Sequence, residues 1–164
     1  MMAQEEDSTC MHPMSEKKKV EIDCVVDEIC KDYWCEPEER GKWMLFFTRD
    51  IMDRKWQEAV KLYKNRELTG IQSLQCSTAA PNPRARDNVS GVIRFFCGPY
   101  HSKAMKSYGE NVVEKMKYTN NYGVAAYKTD KQSKIGTGAT GTRKNYIDRI
   151  PVPTKDRYMQ ELVN

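Results

Sequence analysis

Apolar residues recur along this chain with two periods, and the alternation between them outlines the fold. Ile22, Val25, Val26, Ile29 and Tyr33 follow the i, i+3, i+4, i+7, i+11 spacing of an amphipathic helix. That pattern predicts a first helix from Val20, ending before Pro37, because the residue preceding a proline avoids helical geometry. Trp43-Met44-Leu45-Phe46-Phe47 is a continuous apolar run of strand length and predicts a strand covered on both faces. Asp50 and Asp53 offer N-caps to a second helix with Trp56, Ala59, Val60 and Tyr63 on one face, which Asn65 and Gly70 end.

Ile71 to Ser77 is a weaker strand. Residues 80–88 hold two prolines and an Asp-Asn pair and read as a loop. Val89 to Cys97 alternates Ile93, Phe95, Cys97 against Val92, Arg94, Phe96, a strand pattern that Gly98-Pro99 breaks. Ser102 caps a third helix with Met105, Tyr108, Val112 and Met116 on one face. Strands over Gly123–Tyr127 and Tyr146–Ile150 complete the series. The hairpin-like link between strands 71–77 and 89–97 predicts an α+β fold: a largely antiparallel, curved sheet with about three helices packed on one face.

Residues 1–19, polar and closing on Lys17, Lys18 and Lys19, read as a flexible N-terminal arm. Residues 20–152 form the single α+β domain and 153–164 a C-terminal tail. The 164 residues suffice for one domain, and no window approaches the roughly 18 uninterrupted apolar residues of a membrane span. No apolar h-region follows the N-terminus, so no secretory signal is expected; the protein is expected to be a cytoplasmic monomer, the nucleus not excluded.

Charge changes the picture. Residues 1–80 carry 12 Lys/Arg against 16 Asp/Glu, whereas residues 81–149 carry 13 against 5. A basic C-terminal half is the electrostatic footprint of a phosphate-bearing partner, or equally of a solvated surface. The six cysteines show no C-x-x-C spacing, and neither His12 nor His101 completes a zinc finger, so no metal and no cofactor are expected. Gly136 to Gly141 spells G-x-G-x-x-G without the strand–helix context that dinucleotide binding needs. His101 stands beside Ser102 with no carboxylate to orient it, so no catalytic residues are assigned.

Trp34-Cys-Glu-Pro-Glu-Glu-Arg-Gly-Lys-Trp43, followed by a strand and then Asp53-Arg-Lys-Trp56, resembles the eukaryotic mRNA cap-binding translation initiation factor family. The basic stretch ending Arg143-Lys144-Asn145-Tyr146 resembles that family's C-terminal loop, and an uncharacterised family that includes the basophilic leukemia-expressed protein looks closer still. The likeness covers about residues 33–150 and implies the cap-binding fold and a non-enzymatic RNA- or nucleotide-binding function. Trp34 would stack a base and Glu36 would accept hydrogen bonds from the base edge, although the family places its acid directly after the Trp and here Cys35 intervenes. Arg84 and Arg86 in one loop, with Lys134, Arg143 and Lys144 in another, would neutralise phosphates. Trp43 and Trp56 match structural positions, so a two-tryptophan sandwich around a methylated guanine is not expected. The alternative is a protein-interaction module that kept the fold, lost the nucleotide site and docks a partner on its helical face.

Overall fold

A computed structural model describes residues 10–23, 33–79, 89–129 and 148–154. It is an α+β fold with six strands: β1 (Val20–Asp23), β2 (Gly41–Thr48), β3 (Ser73–Cys76), β4 (Ser90–Cys97), β5 (Val124–Thr129) and β6 (Asp148–Pro151). They form one open, fully antiparallel sheet in the order β1-β3-β4-β2-β5-β6. The two helices among the described residues are α1 (Arg49–Lys64) and α2 (Ala104–Met116).

Strand periodicity places alternate residues on opposite faces. Trp43, Leu45 and Phe47 of β2, Ile93 and Phe95 of β4, Leu74 and Cys76 of β3, and Ala125 and Tyr127 of β5 are buried together with Met52, Trp56 and Val60 of α1 and Met105, Val112 and Met116 of α2. Both tryptophans expected in the core are there, fully buried. Each also satisfies its indole N–H: Trp43 donates to the Met105 carbonyl at 2.9 Å and Trp56 to the Cys10 carbonyl at 2.8 Å. The Trp43 ring packs on α2 so closely that a Cβ at Gly109 would overlap its indole, which is why that helical position is glycine despite its cost in helix propensity.

Three expectations change. Val20–Asp23 is a strand, not the start of a helix. Val20 and Ile22 fit a period of two as well as 3.6, and β3 offers Cys76 and Leu74 as direct partners. The remainder of that expected helix, 24–32, lies outside the described residues; the other two expected helices are α1 and α2. Asp50 and Asp53 do not cap α1. Thr48 holds the N-cap position with no side-chain cap bond, Asp50 sits in the first turn where the helix dipole favours it, and Asp53 accepts a hydrogen bond from the Met14 backbone N–H at 2.9 Å. Finally, β2 is not covered on both faces: Phe46 is 53% exposed.

Part of the segment expected to be a flexible arm is tied down. The Pro13 and Glu16 carbonyls accept from the Ala79 N–H (3.1 and 3.0 Å), Gln57 Nε2 donates to the Met11 carbonyl at 2.7 Å, and Pro13 is buried. Residues 1–9 and the tail from 155 lie outside the described residues.

Candidate functional site

The second face of the sheet, away from the helices, differs chemically from the first. Its positions on β2 are Lys42, Met44, Phe46 and Thr48; on β4, Ser90, Val92, Arg94 and Phe96; on β5, Val124, Ala126 and Lys128; and on β6, Arg149 and Pro151. Four of these are cationic and none is acidic. Lys42 lies directly opposite Lys128 across the β2–β5 ladder and directly opposite Phe96 across the β2–β4 ladder. The pair concentrates positive charge at the Gly41 end of this face. Acidic register positions appear only two strands further out, at Glu21 and Asp23 of β1.

Aromatic contact organises the cations. The Arg40 guanidinium, just ahead of β2, lies 4.6 Å from the Phe96 ring centroid, and Lys42 Nζ lies 5.8 Å from it. A cation above a ring gains about 0.5–2 kcal/mol, more as water is excluded. Lys42 and Phe96 are 7% and 6% exposed, whereas Arg40, Arg94 and Lys128 are half-buried and Arg149 is exposed. Arg94 Nη1 donates to Gln75 Oε1 at 3.3 Å. Beside Phe96 in the same cross-strand row, the Ser73 hydroxyl is buried without a hydrogen-bond partner among the described residues.

Trp34 stands 62% exposed because its neighbours hold the chain on either side. Gln72 Nε2 donates to the Tyr33 carbonyl at 2.6 Å and to Cys35 Sγ at 3.3 Å, and the Tyr33 ring meets Tyr108 edge-on, centroids 6.1 Å apart. The Cys35 thiol fills the space a Cβ at Gly98 would need. Trp34 is therefore presented outward from an anchored strap, and it makes no ring–ring contact among the described residues. Glu36 is exposed too, at the N-cap of the short 3-10 turn Pro37–Glu39, whose Glu39 carbonyl accepts from the Tyr100 N–H at 2.8 Å.

Arg84, Arg86, Lys134, Arg143 and Lys144 lie outside the described residues. The roots of their loops are described, and they lie at opposite ends of the sheet. Ala79 and Val89 flank the Ser90 end of β4; Thr129 and Asp148 flank the Cys97 end, beside Gly41 and the Trp34 strap. Eight residues of β4 separate the two ends by about 23 Å. Sequence reading missed Arg40, Lys42, Arg94, Lys128 and Arg149, although the alternation of Arg94 with Ile93 and Phe95 carried the signal for one of them.

Among the described residues, no cluster of three or more His, Cys, Asp or Glu could hold a metal ion, and no helix is long and apolar enough to cross a membrane. His101 is exposed and edge-on to Tyr100. On the helix-covered face, burial pushes the Cys76 and Cys97 thiols far up, the nearby Cys10 and Cys35 thiols adding to it. Compared with protein-family models and with curated proteins, the chain finds no match.

Proposed function

We propose that this protein is a non-enzymatic binding domain for RNA or a phosphate-bearing nucleotide, with the second face of its sheet as the contact surface. The carrying observation is that four adjacent strands set Lys42, Arg94, Lys128 and Arg149 on one face, and the described second-face positions of those four strands hold no acidic residue. A polyanion laid along that face releases its own counterions. Arg40 joins the cations through Phe96, and Trp34, outward on its strap at the same end of the sheet, supplies a stacking plane whose π-face accepts any base. The likeness to cap-binding factors supports the same reading. In it Glu36 accepts from a base edge, and Arg84, Arg86, Lys134, Arg143 and Lys144 add phosphate contacts from the two loops.

The protein-module alternative wants exposed aromatics on the helical face. The exposed large apolar residues described are Trp34, Phe46, Val89, Tyr100, Tyr122 and Val124, and none of them belongs to α1 or α2. Titration of a single-stranded RNA oligonucleotide at several salt concentrations tests the proposal. Micromolar affinity at low salt that falls steeply as salt rises is expected. Trp34→Ala should lose about 1–3 kcal/mol of binding at an unchanged salt slope and an unchanged melting temperature. Affinity no better than millimolar at low salt overturns the reading; a lower melting temperature with RNA binding intact makes Trp34 a structural lid instead.

A further inference from the structure

We propose that Phe46 is a second base-stacking position, so that the second face takes a run of several unpaired nucleotides and not a single one. This rests on the RNA-binding reading above and specifies its ligand. Phe46 belongs to the most apolar run of the chain, on a central strand, yet its ring faces outward and is 53% exposed. The exposure is not fraying. Beyond the Met44–Ala126 pair, β2 and β5 part, and the Tyr118 hydroxyl accepts from the Phe46 N–H at 3.1 Å. Asn120 Nδ2 closes the same gap by donating to the Val124 carbonyl at 2.7 Å. The ring is therefore held on a fixed backbone and turned away from the core.

Its surroundings choose the occupant. Val124, exposed on the neighbouring strand, extends the apolar platform. Arg94 lies diagonal to Phe46 on β4, a separation of about 7–8 Å, and Arg149 ends the adjacent cross-strand row. An apolar plane flanked by guanidinium groups, on strands without an acidic second-face position, complements a base with its phosphates. An uncharged or basic peptide would gain nothing from those charges. Gly41, at the Trp34 end of β2, lies about 17 Å from Phe46 along the strand, so bases stacked on both rings at once belong to different nucleotides. Unpaired strands suit a sheet surface because their bases are open to stacking.

The test compares uridine 5′-monophosphate with octauridylate on the full chain, as wild type, Phe46→Ala and Phe46→Tyr. Octauridylate should bind the wild type far more tightly than the monophosphate. Phe46→Ala should weaken octauridylate about 5- to 150-fold with the salt slope unchanged, and Phe46→Tyr should restore it. Irradiation of the wild-type complex at 254 nm should cross-link uridine to the tryptic peptide Trp43–Arg49, which needs no variant to fold. Octauridylate bound with the expected salt dependence, but equally well by Phe46→Ala and cross-linked only elsewhere, overturns the Phe46 assignment alone. Failure of the wild type to bind octauridylate overturns the RNA-binding reading and this inference with it. Sedimentation showing a wild-type dimer that Phe46→Ala dissolves assigns the patch to a second copy of the chain and overturns the inference too.

Discussion

The two faces of this sheet are built from the same strands and are chemically opposite. Residues 43, 45 and 47 of β2 are Trp, Leu and Phe, all buried against the helices; residues 42, 44 and 46 are Lys, Met and Phe, with the last exposed. On β4, Ile93 and Phe95 oppose Arg94 and Phe96 in the same way. The first face is a packing surface, where each side chain is held by apolar neighbours. The second sets four cations around Met44, Phe46, Val92 and Phe96, and it is buried at Lys42, Val92 and Phe96 but open at Phe46 and Arg149.

The largest effect should come from breaking the packed face. Trp43→Ala removes a fully buried indole and leaves the Met105 carbonyl without its donor, so about 3–5 kcal/mol of stability should be lost in chemical denaturation. A melt like the wild type's would mean Trp43 is not core. Next comes alkaline pH, which acts on the same face through Cys76 and Cys97. Burial raises both thiols above their unfolded value of about 8.5, so the neutral form is favoured when folded. The stability this contributes is full below pH about 8.5 and is lost as pH rises towards the folded values. Between the unfolded and the folded values each thiol should cost up to about 1.4 kcal/mol per pH unit. Denaturation midpoints at pH 8 and 10 measure it, and replacing either thiol by alanine should flatten the dependence.

The second face should respond in the opposite sense. Lys128→Gln should change stability by less than about 1 kcal/mol, because Lys128 is half-buried and lies outside the packed core. The same variant should lower the salt slope of RNA binding by about one unit, one released counterion. A large stability loss with an unchanged slope would erase the contrast between the faces.

Local pattern made much of this legible. The apolar stripes of 52–63 and 105–116 are helices, and the alternation over 89–97 is a strand, since each period is short-range and is repeated several times. The same information marked Trp43 and Trp56 as core. For the candidate site, Trp34 and Glu36 were named only from the motif they resemble, whereas the pairing of Lys42 with Lys128 was invisible because the two stand 86 positions apart.

What the sequence alone determined, then, is that the stripes ending at Tyr63 and Met116 are helical, that Trp43 and Trp56 are buried and that the sheet is antiparallel. Those follow from periodicity and from the free energy of removing apolar surface from water. Tertiary structure alone decided that Val20–Asp23 pairs with β3 as a strand, since two apolar residues fit both periods and the open edge of β3 settles the choice. It also decided that β2 lies between β4 and β5, which puts Lys42 opposite Lys128 and turns Phe46 outward. Register between distant strands is set by which faces can be covered simultaneously, a property of the assembled sheet and not of any window of sequence.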